Sequence, residues 1–244
     1  MLKVTTSWDD GDILDKRLSG LLSRYNLKGT FYITKKYRPK RLSAEEIKNL
    51  SIQQEIGAHT LTHPDLRALS PEEKRVEIEG GKKWLEELLG SEVKMFCYPK
   101  GLYDDSTVSV VKEARFLGVR TTKLNEINMP SDTFHLNTTL QVYPFPFRKL
   151  GPKQYYLGKL FKPYQQRGPK LRELGVSIFS MHSWLSMAKA TFDITLKSGE
   201  VFHLWGHSWE IEKYGMWDDL EKFLQYIANN KNCAYLTNSE ILQS

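Results

Sequence analysis

The sequence is poor in cysteine and has no long apolar run, and both absences narrow the class of protein. Two cysteines, Cys97 and Cys233, occur in 244 residues, too few for the disulfide framework of a small secreted domain. No apolar stretch approaches the roughly 20 residues that a membrane-spanning helix needs. The first residues already read as a strand and not as a signal peptide, so we expect a cytoplasmic protein with reduced thiols.

A glycine-rich phosphate-binding fingerprint is also missing after the first predicted strand, which weakens a nucleotide-binding interpretation. The net charge is +6, from 35 basic and 29 acidic residues. This mild excess is typical of a soluble basic surface, and we expect no nucleic-acid partner. The length suits one hydrophobic core, so residues 1–244 are predicted to form a single domain.

Strand and helix signals alternate from one end of the chain to the other. Strands are predicted at residues 2–8, 30–34, 55–60, 93–98, 119–123, 135–143, 201–207 and 234–237, with helical patterns between most of them. Such alternation predicts parallel strands covered by helices. Seven or eight units in this length predict an α/β fold, a distorted (β/α) barrel, with an open doubly wound sheet as the alternative.

Four polar clusters follow predicted strands, where barrel active sites form. They are DDG at residues 9–11, HTLTH at 59–63, YPKG at 98–101 and HSWE at 207–210. Residues that are far apart in sequence would therefore meet on one rim. Their shared position is a stronger signal than any one cluster.

Asp9 and Asp10 leave the first strand as neighbours, so their carboxylates point in different directions and can do separate work. Taken alone, this pair is more typical of a solvated loop or a helix cap. His59 and His63 are four residues apart, a spacing that can bring two imidazoles to one ion. Together with one carboxylate they would supply three ligands and leave a coordination position open. Zinc is the first choice, and cobalt or another divalent ion would also fit.

A histidine that ends a late strand, His207, could protonate a leaving amine, as amide hydrolysis requires. Glu210 could orient it or could be a surface residue. His203, four residues earlier on the same strand, is better explained as a hydrogen-bonded interior histidine.

Taken together, these motifs resemble the NodB-type polysaccharide deacetylases, carbohydrate esterase family 4. TSWDDG at residues 6–11 resembles the first motif and HTLTH at 59–63 the metal-binding second motif. YPKG at 98–101 and LWGH at 204–207 resemble the third and the last. The matches span residues 6–207, and the first two motifs are the specific ones.

This resemblance implies a NodB-like (β/α) barrel and a hydrolase that removes an N-acetyl group from an amino sugar. It implies that Asp9 is the general base, that His207 is the general acid and that the metal ligands are Asp10, His59 and His63. The backbone around Tyr98 and Pro99 would help to bind substrate, and Trp209 could form an aromatic wall.

One position departs from the family pattern. Many members carry an arginine two residues before the third-motif proline, where this chain has Cys97. Arg120, at the end of the next predicted strand, could supply the missing positive charge to Asp9. It could equally form an ordinary structural ion pair.

Residues 148–172 contain eight lysines or arginines and no acidic residue. Leu157, Leu160, Phe161 and Tyr164 fall at helical spacing within this basic stretch. A surface helix packed on the barrel is the favoured interpretation. Peripheral contact with a membrane or a lipid-linked sugar, or a lid over the site, are the alternatives.

The expected substrate is an amino-sugar glycan: a polysaccharide, an oligosaccharide or a lipid-linked glycan. Two other functions stay open. One is a related amidohydrolase that acts on a lipid-linked formamido sugar or a cyclic ureide. The other is a catalytically silent carbohydrate-binding barrel, against which Asp9 argues, because a binding module needs no free base beside a metal ligand.

Overall fold

One parallel β-sheet organises the chain. The computed structural model describes residues 1–148 and 160–244. Within them the strands are β1 (Leu2–Asp10), β2 (Gly29–Ile33), β3 (Glu55–Ala58), β4 (Met95–Cys97), β5 (Gly118–Arg120), β6 (Leu140–Gln141), β7 (Val201–Gly206) and β8 (Cys233–Tyr235). Their spatial order is β5-β4-β3-β2-β1-β7-β6, and β8 pairs with the start of β1. All the pairings are parallel, as the β-α alternation predicts.

Helices connect successive strands and cover the sheet. They are α1 (Asp15–Arg24), α2 (Ala44–Ser51), α3 (Pro71–Leu89), α4 (Asp105–Glu113), α5 (Lys162–Glu173), α6 (Trp184–Ser198), α7 (Ser208–Tyr214), α8 (Trp217–Ile227) and α9 (Asn238–Gln243). The start of α3 shows how the sequence sets these bounds. Ser70 and Glu73 form a reciprocal capping box around Pro71, and Gly90 ends the helix at a φ of +68°.

An irregular segment closes the sheet between β5 and β7. The Leu136 amide donates to the Val119 carbonyl of β5 at 2.8 Å. A few residues later, the Val142 amide donates to the Trp205 carbonyl of β7 at 2.8 Å. The segment is therefore hydrogen-bonded to β5 at its start and to β7 at its end. The expected distorted (β/α) barrel is confirmed.

The central strand β1 is buried along almost its whole length, and its apolar side chains lie at the middle of the core. Trp8 has no exposed surface, and its indole nitrogen donates to the Thr6 hydroxyl at 2.9 Å. Because β1 is hydrogen-bonded to β2 on one side and to β7 on the other, the two carboxylates at its end are held in fixed positions.

Several predicted elements differ from the observed ones. The strand expected at 135–143 is shortened to β6, because residues 133–135 form a 3₁₀ turn. The short helices α7 and α9 carry no clear helical periodicity in the sequence. Residues 149–159, with the predicted apolar position Leu157, lie outside the described residues. Among the described residues, no helix is long and apolar enough to cross a membrane.

Candidate active site

The first part of the site is the end of β1, where Asp9 and Asp10 are 3% and 2% exposed. Asp10 has a φ of 86° and Gly11 a φ of 70°, so the chain turns sharply here. A Cβ on Gly11 would lie 2.7 Å from the Ile33 side chain, so only glycine fits at this turn. The turn lets adjacent carboxylates face different partners.

The two histidines lie on a loop after β3 that α3 holds in place. Thr60 and His63 both have positive φ, 66° and 61°. The Glu77 carboxylate of α3 accepts two loop amides at 2.9 Å each. Gly81 of the same helix faces the Thr60 backbone, which a Cβ there would approach to 3.0 Å. The loop is therefore folded, as the proline after His63 predicts, and is not a helical turn.

Three ligand atoms converge at this rim. Asp10 Oδ1 lies 3.8 Å from His59 Nε2 and 3.6 Å from His63 Nε2. Tetrahedral zinc with ligand bonds near 2.1 Å separates neighbouring ligand atoms by roughly 3.4 Å. Asp10 Oδ1 is buried and has no hydrogen-bond partner in the part of the chain that the structure describes. A cation would satisfy this oxygen, so the three residues fit a divalent metal.

The protonation of the histidines also suits a metal. His59 Nδ1 donates to the Cys97 carbonyl at 2.8 Å, which leaves Nε2 as the ligand atom. Burial lowers the pKa of His59, and burial together with the neighbouring His59 lowers the pKa of His63 to about 3. Both rings are therefore neutral at pH 7, as metal ligation requires. Tyr37 stacks on His63 with ring centroids 4.1 Å apart.

A second group, Asp9, His59 and Cys97, is also close enough to share an ion. It suits a metal less well, because burial raises the pKa of the Cys97 thiol well above its usual range. Asp9 is moreover already paired with Arg120.

Arg120 reaches Asp9 from β5 and is completely buried. Its guanidinium also lies over the rings of Trp205 and Tyr32, at 4.7 and 5.3 Å. Burial alone would raise the pKa of Asp9, but the charges of Arg120, His59 and His207 hold it below its usual range. Asp9 is therefore ionised at neutral pH, and a base must be in that form.

His207 follows β7 and faces both aspartates. Its Nε2 lies 4.0 Å from Asp9 Oδ2 and 4.0 Å from Asp10 Oδ2, while its Nδ1 donates to Glu210 Oε2 at 2.7 Å. Burial opposes protonation, but the bond to Glu210 and the charges of both aspartates raise the pKa of His207. The ring can therefore carry a proton on Nε2 at neutral pH. Glu210 is the orienting residue that the sequence left undecided.

The two aspartates, the two loop histidines and His207 line a cavity of about 730 Å³. Trp209 lines it and also donates from its indole nitrogen to Asp10 Oδ2 at 2.8 Å. Tyr98 and Pro99 are buried and are not among the lining residues, whereas the next residue, Lys100, is. A sugar contact through the Tyr98 or Pro99 side chain is therefore not favoured, and their role stays a prediction.

Sequence reasoning missed some of the lining residues, above all Arg167 of α5. The only signal for Arg167 was its place in the basic stretch, which does not separate it from its surface neighbours. His203 is an interior histidine, as expected: its ring bonds to Ser7 Oγ at 2.8 Å and to the Asn137 carbonyl at 3.1 Å.

The arrangement can hydrolyse an acyl bond. An ionised carboxylate, Asp9, and an imidazole with a raised pKa, His207, lie beside a candidate cation site. One group can accept a proton from water and the other can donate a proton to a leaving group. A cation held next to them could stabilise a carbonyl oxygen that gains negative charge.

Comparison with known proteins agrees with this chemistry. Residues 3–120 match the family model described as polysaccharide deacetylase. The Bacillus subtilis (strain 168) protein YxkH, provisionally named a polysaccharide deacetylase, is 25% identical over 105 residues, which cover 41% of this chain. The matched segment spans 38% of the length of YxkH.

Solved structures share the fold over almost the whole chain. A provisionally assigned polysaccharide deacetylase of Mycobacterium smegmatis superposes with a TM-score of 0.72 at 16% identity, covering 99% of this chain and 89% of its own. A family 4 acetyl xylan esterase of Clostridium thermocellum, in complex with a cobalt ion, superposes with a TM-score of 0.61 at 16% identity, covering 99% and 90%. These similarities confirm the resemblance that the motifs indicated.

Proposed function

We propose, from the premise that residues 3–120 belong to the polysaccharide deacetylase family, that this chain is a metal-dependent hydrolase that removes an N-acetyl group from an amino sugar. The observation that carries the proposal is one convergence of side chains. Asp10, His59 and His63 can hold a cation, and Asp9 and His207 flank it.

The metal ligands would be Asp10, His59 and His63, with zinc as the first candidate and cobalt as another. When bound, the ion supplies Lewis-acid polarisation of the amide carbonyl and lowers the pKa of water. A cobalt ion in the acetyl xylan esterase of similar fold supports a divalent metal in this fold.

The chain's own residues would do the rest. Asp9, held ionised by Arg120, takes the proton of the attacking water. The N–H at His207 Nε2 then protonates the departing sugar nitrogen as the C–N bond breaks. Glu210 accepts the proton on Nδ1, so only Nε2 of His207 faces the reaction. Trp209 keeps Asp10 in place and offers a ring face to the sugar.

The test is acetate release from N-acetylglucosamine oligomers by chelated protein, before and after zinc or cobalt is restored. We expect release only with metal, and its loss in Asp9→Asn. Asp105→Asn, at an exposed aspartate of α4, is the matched control and should keep full activity. Unchanged turnover in Asp9→Asn would refute the base assignment.

Other acyl substrates separate the remaining functions. Acetylated xylan tests an ester, and a formamido sugar and a cyclic ureide test the related amidohydrolases. If a filled metal site hydrolyses one of these and no N-acetyl sugar, the reaction class stands and the acyl group is different. If no substrate reacts but glycans bind, the chain is a silent carbohydrate-binding barrel.

A lipid-linked substrate is favoured by one surface. Phe147, Phe161, Ile178 and Phe179 are exposed around an apolar groove of about 560 Å³. Phe179 alone is 87% exposed. The adjoining α5 has exposed cations at Lys162, Lys170 and Arg172. Apolar side chains beside basic ones suit an anionic membrane surface.

Vesicle flotation tests this contact. The protein should bind phosphatidylglycerol vesicles more strongly than phosphatidylcholine vesicles, and Phe179→Ser should weaken that binding. Ile52→Ser removes another exposed apolar side chain, outside the groove, and should leave binding unchanged. Equal binding by Phe179→Ser and the parent chain would remove the support for a membrane contact.

A further inference from the structure

Arg167 lies in the wall of the active-site cavity with part of its hydrogen-bonding capacity unused. It is on α5 and lines the cavity together with Gln141, Trp205 and His207. Its Nη2 donates to Gln141 Oε1 at 2.5 Å, and the guanidinium lies over the Tyr143 ring at 4.9 Å. Its Nη1 is buried and has no hydrogen-bond partner within residues 1–148 and 160–244.

Arg167 also has no contact ion pair among the described residues, although the charge of Glu210 acts on it from a distance. Among the described residues, no carboxylate lies within 4.0 Å of its nitrogens. Each acidic group of the cavity has another partner: Asp9 has Arg120, Asp10 belongs to the cation site, and Glu210 accepts from His207. Burial lowers the pKa of Arg167 to about 10, so it is still a cation at neutral pH.

A buried donor and a buried charge without partners are both unfavourable, and proteins rarely keep them without a ligand that uses them. A guanidinium offers a planar set of donors that matches the geometry of carboxylate and phosphate. Gln141 fixes one side of the guanidinium by accepting from Nη2, and the Tyr143 ring supports its face. Such support is typical of a side chain that is pre-positioned to bind a ligand.

We propose that Arg167 recognises an oxyanion on the substrate, a carboxylate or a phosphate ester carried by the sugar next to the cation site. The inference rests on the proposed function for the identity of the cavity as a glycan site. It adds a substrate class: anionic amino-sugar glycans in preference to neutral ones.

The first experiment measures binding without any acyl chemistry. Methyl β-D-glucuronide and methyl β-D-glucoside differ by one carboxylate, and neither has an amide to hydrolyse. In ligand-observed NMR titrations of the zinc-loaded protein we expect the glucuronide to bind about ten- to a hundredfold more tightly, the range for a hydrogen bond to a charged group. Glucose 6-phosphate, titrated against glucose, tests phosphate as the alternative oxyanion.

Two variants decide whether Arg167 is the cause. Arg167→Gln should abolish the preference for the anionic sugar. Arg172→Gln removes the same residue type from an exposed site of α5 outside the cavity and should keep the preference. Equal or undetectable binding of the charged and neutral sugars by the parent chain, or a preference that survives Arg167→Gln, would overturn the inference. Melting temperatures of both variants check that each is folded.

Kinetics provide the second readout. With N-acetylglucosamine 6-phosphate, Arg167→Gln should raise KM about tenfold or more and change kcat little, because the oxyanion contact is made equally in the bound and transition states. With N-acetylglucosamine, which carries no oxyanion, the same variant should change kcat/KM by a much smaller factor. A purely structural role would lower both equally. If no acetate forms from any sugar while the glucuronide preference stands, the proposed reaction fails and this inference holds.

Discussion

Replacing Arg120 by methionine would test the most heavily buried ionic contact of the site. Both Arg120 and Asp9 are almost inaccessible to solvent, so removing the cation leaves a buried carboxylate without its partner. Breaking a buried pair in this way costs about 3–5 kcal/mol of unfolding free energy. Methionine keeps much of the apolar stem of Arg120 and loses the guanidinium that lies over Trp205 and Tyr32, so only part of this loss should come from a cavity.

The loss of unfolding free energy in Arg120→Met should depend on pH, and the direction of this dependence follows from the pKa of Asp9. In the parent chain the pKa of Asp9 lies below its ordinary value of 3.8, chiefly because Arg120 offsets burial. Without Arg120, burial raises the folded-state pKa above the unfolded one. The penalty is then smallest below the unfolded pKa of 3.8, where both states of the variant bind the proton. It grows as the pH rises above that value, so it should be smaller at pH 4 than at pH 8. The acid limb of kcat/KM should move to higher pH in the same variant.

Denaturant unfolding at pH 4 and pH 8, with zinc chelated, measures both effects. Asp9→Asn, Arg120→Met and the double variant form a mutant cycle, and we expect a coupling energy of about 2 kcal/mol or more. Arg75→Met is the control: it removes an exposed arginine paired with Glu72 and Glu113 and should cost under about 1 kcal/mol. Additive single-variant losses, or equal losses at both pH values, would refute the reasoning.

Three further predictions concern the acid, the metal and the helix behind the loop. Glu210→Gln removes a carboxylate that raises the pKa of His207, so the alkaline limb of the kcat profile should move to lower pH. An unmoved limb would contradict this. Zinc at about a hundred times its Kd should raise the unfolding free energy of the parent chain by about 2.7 kcal/mol, which scanning calorimetry measures. A zinc-induced shift of equal size in His63→Ala would exclude His63 as a ligand. Gly81→Ala should weaken zinc binding in a calorimetric titration, because its Cβ would push on the histidine loop. The control Gly20→Ala has open space around it. It should raise the unfolding free energy by about 1 kcal/mol and bind zinc as the parent chain does.

The barrel could be predicted because the apolar periodicity and the helix caps agree along most of the chain. The segment that closes it could not, because residues 136–142 bond first to β5 and the residues after it and then to β7, through an irregular backbone. Their side chains carry no regular alternation from which a strand could be bounded. The same limit applies to α7, whose seven residues are too few for a periodic signal.

The cation site was accessible from sequence because its residues stand next to one another at strand ends: Asp9 with Asp10, and His59 with His63. Arg167 was not accessible, because its role depends on which face of α5 meets the cavity. In the sequence, a basic residue on the face of α5 that meets the cavity cannot be distinguished from one on the exposed face. Only the position of Gln141, which accepts from Arg167 at 2.5 Å, separates it from exposed neighbours such as Arg172.

The Cys97 position shows that the positive charge beside Asp9 can be carried by either of two neighbouring strands. Cys97 stands where the motif pattern that the sequence resembles would place an arginine, and in the β4–β5 pairing its direct partner is Arg120. Side chains at paired positions of parallel strands point to the same face, so an arginine on either strand can reach Asp9. The small thiol leaves room, with Sγ 4.0 Å from Asp9 Oδ2. Arg120→Met combined with Cys97→Arg should therefore recover part of the unfolding free energy that Arg120→Met alone loses at pH 8, as measured by denaturant unfolding.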